Sequence, residues 1–139
     1  MNALLLTLAI TTTVGSLLAF QPAAAQLLPP AKKAERVEIT KAPALELATD
    51  HLTIIRWTTN NPGGTDVHFG VVHYGTDPKD LSQTAKSPIR VNRGHPETIF
   101  RVRMPGLKPR TTYYYKVTST ESNGKSDGVE SPINQFTTR

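Results

Sequence analysis

From residue 37 onward, no stretch repeats an apolar side chain every three or four positions for the length a helix needs; the apolar residues recur every second position, in short bursts. Phe100, Val102 and Met104 alternate with Arg101 and Arg103, and Tyr113, Tyr115 and Val117 alternate with Tyr114 and Lys116. Val72 with Tyr74, and Ile55 with Trp57, obey the same rule. Between the bursts lie turn-forming clusters: Asn-Asn-Pro-Gly-Gly at 60–64, Asp77-Pro78, Asn92 to Pro96, Pro105-Gly106 and Asn123-Gly124. This punctuation predicts seven strands, over 37–47 with a break at Pro43, 52–59, 67–76, 89–91, 99–104, 112–120 and 134–138. A chain of this pattern buries its inward positions by stacking two sheets, so the expected class is an all-β, seven-stranded antiparallel sandwich occupying 37–139. Adjacent apolar residues in 52–55 and 70–72 break the alternation and predict a bulge or an edge contact there.

The sequence contains no cysteine, which excludes a disulfide scaffold and a thiolate metal site; the fold must stand on packing. Residues 1–25 carry no Asp, Glu, Lys or Arg, and hold an apolar run from Leu4 to Phe20 followed by Pro22-Ala23-Ala24-Ala25. These features predict a signal peptide cleaved after Ala25, hence a secreted or extracytoplasmic protein with no membrane span once cleaved. A retained anchor is the rival reading, and the run is short and polar for a span. Residues 26–36 contain Pro29-Pro30 and Lys32-Lys33 and read as an extended tether.

The stretch Leu107-Lys108-Pro109-Arg110-Thr111-Thr112-Tyr113-Tyr114-Tyr115-Lys116-Val117 resembles the corner between the fifth and sixth strands of a fibronectin type III domain. The resemblance implies that Leu107 and Pro109 close the corner, that the Tyr113 hydroxyl bonds back to backbone, and that Tyr115 and Val117 enter the core. It also puts Trp57, Tyr74 and Phe136 in that core. More narrowly, Val72-His73-Tyr74-Gly75-Thr76, Leu81 with Ala85, the run from Phe100 to Val117, and Phe136-Thr137-Thr138 resemble the N-terminal sandwich of purple acid phosphatases. In that family the sandwich precedes a dimetal catalytic domain. Its ligand motifs, Asp-x-Gly, Gly-Asp-x-x-Tyr, Gly-Asn-His and Gly-His-x-His, do not occur in this sequence, so the resemblance carries over no metal or catalytic residue.

The residues themselves point the same way. His51, His68, His73 and His95, with Asp66 and Glu97, lack the close spacing of a ligand set, so no metal or other cofactor is expected. His68 and His73 should face opposite sides of one strand, and the four histidines read as surface or edge residues. Ser119, Ser122, Ser126 and Ser131 read as a loop before the last strand, with no histidine near them in sequence, and no enzyme is expected. Net charge is +5 and the pI about 9.7. Arg90, Arg93, Arg101, Arg103 and Arg110 cluster in sequence and form a candidate anion-binding surface, or a solvated strand face. The basic residues do not interleave with aromatics as in nucleic-acid binders. The expected function is a secreted, non-catalytic binding or adhesion module with a protein or polysaccharide partner. The alternatives are a structural subunit that self-assembles through its N-terminal arm or an edge strand, and an accessory partner of a purple-acid-phosphatase-like enzyme.

Overall fold

The computed structural model describes residues 34, 36–49 and 52–139; the expected signal, most of the tether and His51 lie outside them. Eight strands follow one another: β1 (Ile39–Thr49), β2 (Leu52–Asn60), β3 (Val67–Gly75), β4 (Gln83–Arg90), β5 (Glu97–Met104), β6 (Thr112–Glu121), β7 (Ser126–Glu130) and β8 (Asn134–Thr137). One sheet is β1-β2-β5, the other β4-β3-β6 with β7 and β8 both on the far edge of β6, and every pairing is antiparallel. The protein is thus an all-β sandwich of the fibronectin type III kind. Among the described residues there is no helix long and apolar enough to cross a membrane.

The core is the set that the alternation points inward. Ile55, Trp57, Val72, Tyr74, Phe100, Val102, Met104, Tyr113, Tyr115, Val117 and Phe136 are all buried between the sheets. Trp57 stacks on Phe100 with ring centroids 5.2 Å apart and planes within 10°. Facing them on β3 is Gly70, where a side chain has no room: a Cβ would lie 2.8 Å from Trp57 Cη2 and 2.9 Å from Val102 Cγ2. At the corner, the Lys108 amide donates to the Tyr113 hydroxyl at 3.0 Å. Leu107 packs against the core, Pro109 is exposed, and Arg110 holds a left-handed φ of 49°.

Four details differ from the sequence expectation. The fourth strand spans 83–90 rather than 89–91, because an edge strand tolerates Pro88 and needs only Ala85 buried in the core. Residues 126–130, expected as loop, form β7. Together β7 and β8 are one long strand interrupted at Ser131-Pro132: proline cannot donate to the ladder, and Ser131 pairs with Val117 through both its amide and its hydroxyl. The register shifts lie between β1 and β2 and between β6 and β7, while β3 pairs in unbroken register, so Gly70-Val71-Val72 marks the close approach of Trp57 and not a bulge. Finally, His68 is fully buried.

The sheets meet differently on their two flanks. β4 lies along β5, where the Arg103 amide donates to Ser87 Oγ at 3.3 Å. On the other flank a hollow of about 290 Å³ separates the start of β1 from β7, bordered by Val37, Ile39, Pro43, Val129 and Pro132. Residues 34 and 36 bind the end of β2: the Ala34 amide donates to the Asn61 carbonyl, and Asn60 Nδ2 donates to the Arg36 carbonyl.

Candidate functional site

A histidine, an aspartate and a serine converge in the interior. Asp127 Oδ2 sits 2.9 Å from His68 Nδ1 and accepts from Ser119 Oγ at 2.7 Å, while His68 Nε2 donates to the Gly63 carbonyl at 2.7 Å. The residue types are those of a hydrolytic triad, but the connectivity is not. The serine hydroxyl is bonded to the carboxylate, not to the imidazole, and the second imidazole nitrogen is occupied by a backbone carbonyl. The His68 and Asp127 side chains are 0% and 3% exposed and Ser119 is fully buried, so no substrate reaches them. The cluster ties β3, β6, β7 and the loop at Gly63 into one unit. Sequence reasoning missed it because Asp127 lies 59 residues from His68.

On the outer face of the larger sheet, β3, β6 and β7 form a shallow hollow of about 550 Å³ with the β3–β4 turn as one wall. His73, Lys116, Thr118 and Glu130 line its floor, and Pro78, Lys79, Leu81 and Ile133 surround them. Ile133 is 50% exposed. His73 Nε2 is 2.9 Å from Thr118 Oγ1, and Lys116 Nζ lies 3.2 Å from Glu130 Oε1. Partial burial and, secondarily, the Lys116 ammonium lower the His73 pKa from the usual 6.5; Glu130 opposes them. The ring is therefore neutral at pH 7. Among the described residues nothing holds its Nδ1, so the Thr118–His73 pair lacks the orienting third group of an activated nucleophile. The hollow offers polar donors and acceptors beside exposed apolar surface, which suits binding.

The arginines do not form one patch. Arg90 ends β4, and Arg93 sits in the next loop, paired with Asp66 at 2.8 Å and bonded to the Gly64 carbonyl. Arg110 lies at the opposite end of the sandwich, in the corner. Arg101 and Arg103 share the outer face of β5, beside Arg56 of β2, which sequence reasoning passed over. No group of three or more His, Cys, Asp or Glu side chains able to hold a metal occurs among the described residues.

A family model for the purple acid phosphatase N-terminal domain matches residues 42–138. The chain belongs to that family. What is matched is the sandwich domain and not the catalytic one. No curated protein matches the sequence. Solved structures similar to this member of the purple acid phosphatase N-terminal domain family include two of the sensor domain of the anti-sigma factor RsgI4 in Pseudobacteroides cellulosolvens. Both are 19% identical; one has a TM-score of 0.46 and covers 74% of this chain and 87% of that one, and the other has 0.48 and covers 74% of each. The third fibronectin III domain of human KIAA0343 protein is 14% identical, with a TM-score of 0.40, covering 86% of this chain and 91% of that one.

Proposed function

We propose that this purple acid phosphatase N-terminal-type sandwich is a secreted, non-catalytic binding module whose partner protein or polysaccharide seats on the outer face of the larger sheet. Residues 1–25 act as its export signal and 26–36 as a tether. The observation that carries the reading is the hollow over His73, Thr118 and Ile133: a concave, half-apolar surface of ligand-site size on a sheet face that a simple solvated module would keep polar. The buried His68–Asp127–Ser119 cluster supports it by keeping β7, which carries Glu130 of the hollow's floor, in place.

The test uses the purified protein as bait against extracytoplasmic extract, with each captured partner repurified and titrated. Thr118→Arg, which fills the hollow, should abolish binding, whereas Arg110→Ala at the corner should not. A partner that binds Thr118→Arg as well as the wild type sinks the assignment. Protein supplied with iron, zinc or manganese should hydrolyse aryl phosphates no faster than buffer, and the secreted form should begin at Gln26 by intact mass.

A further inference from the structure

Three guanidinium groups meet on the outer face of the smaller sheet. Arg56 and Arg101 stand directly opposite one another in the β2–β5 register, and Arg103 follows Arg101 two positions along the same face. Like charges placed directly opposite destabilise an antiparallel pair, so folding gives no reason for this arrangement. Among the described residues only one of the three is neutralised: Glu46 takes a two-pronged contact from Arg101, Nε to Oε2 at 2.8 Å and the terminal nitrogen to Oε1 at 2.6 Å. Arg56 and Arg103 have no carboxylate partner among the described residues. Apolar surface adjoins them. Ile99, on the same face, and Leu45 of β1 are each 40% exposed, and a hollow of about 330 Å³ opens beside Arg56, bordered by Lys41, Ala42, Ala44 and Leu45.

We propose that this face docks an extended, acidic segment of a partner protein, with alternate carboxylates on Arg56, Arg101 and Arg103 and an apolar side chain in the hollow at Ala42, Ala44 and Leu45. Two observations favour a peptide over an anionic polysaccharide. Alternate residues of a strand stand roughly 7 Å apart, which is the repeat of Arg101 and Arg103, themselves alternate residues of a strand. The exposed apolar neighbours, Leu45 and Ile99, are aliphatic, and Trp57, which also borders the hollow, is 1% exposed and so presents no ring face on which a sugar could stack. Glu46 is in this arrangement an internal stand-in for the partner's carboxylate, which a bidentate guanidinium can exchange for an incoming one. This surface is independent of the hollow on the opposite sheet.

The experiment is fluorescence anisotropy of a labelled synthetic peptide alternating glutamate with leucine or valine, titrated with the purified protein, with a glutamine-for-glutamate peptide and sodium alginate as the other arms. Saturable binding of the acidic peptide alone is expected, weakening as salt rises. Arg56→Ala and Arg103→Ala should each weaken it about fivefold or more, while Arg90→Ala, at the end of β4, leaves it unchanged. Glu46→Gln should tighten it, because Arg101 loses its competitor, and Arg56→Ala should melt at or above the wild-type temperature, because a like-charge pair is relieved. The proposal is overturned if the acidic peptide fails to bind, if alginate binds in its place, if the glutamine peptide binds equally, or if binding ignores Arg56 and Arg103. It is overturned equally if Arg56→Ala unfolds the protein and Glu46→Gln leaves affinity unmoved, since both would make the arginines structural.

Discussion

Gly70→Ala tests the closeness of the two sheets at one point. The new methyl would sit 2.8 Å from Trp57 Cη2, 2.9 Å from Val102 Cγ2 and 3.1 Å from Phe100 Cδ1. Ordinary carbon contact is about 3.5–4.0 Å, so its nearest neighbour must yield by roughly 0.7 Å. That neighbour cannot swing aside: Trp57 is 1% exposed and stacked on Phe100. Overpacking of this kind costs about 1–3 kcal/mol. Against it stands a gain of about 0.4–1 kcal/mol from stiffening the unfolded chain. The balance is a loss of about 1–2 kcal/mol, a fall in melting temperature of roughly 4–15 °C for a domain of this size. Urea titration followed by the emission of Trp57, the sole tryptophan, reads both stability and the environment of the displaced ring. Adding Val102→Ala removes one of the two closest contacts, so the double variant should be more stable than the sum of the single losses predicts. A Gly70→Ala protein as stable as wild type with unshifted emission would refute the reasoning.

Removing the carboxylate in Asp127→Ala leaves the His68 ring and the Ser119 hydroxyl buried without their shared acceptor; at about 1–3 kcal/mol for each buried polar group left unsatisfied, a loss of about 2–5 kcal/mol is expected in urea. Tyr113→Phe deprives the Lys108 amide of its acceptor and should lower stability by about 1 kcal/mol in thermal melts. Because the folded protein holds His73 below its usual pKa, the unfolded chain binds that proton more readily. His73 therefore contributes stability that is present above pH 6.5 and lost as pH falls through its lowered value. His73→Gln should flatten that part of the pH–stability curve.

What was legible in the sequence was what is local. The corner motif has all its parts within 107–117, and strands with several inward apolar residues, such as Phe100, Val102 and Met104, declare themselves by period. The edges do not. Gln83 to Arg90 sends Ala85 fully into the core with Ile89 half-buried against it, and Ser126 to Glu130 has Val129 as its one buried apolar residue, too few for a period-two signal. β7 is held instead by Asp127 reaching into the interior. At the surface, strand spacing put Arg101 and Arg103 on one face, but Arg56 joined them only through the β2–β5 register, which the sequence does not print.

The unequal flanks of the sandwich bear on how it breathes. With β4 lying against β5 and the Arg103 amide held by Ser87, that side is bonded from sheet to sheet, while the β1–β7 side, separated by a hollow, is the open margin. Opening along that margin would expose Ile39 before Phe100 or Val117, and amide exchange should run faster in the first half of β1 than in β7, which Asp127 anchors to β3 and β6. Because Ala42 of β1 and Glu130 of β7 also border the two outer-face hollows, a partner seated on either face would hold this margin shut and slow exchange along it.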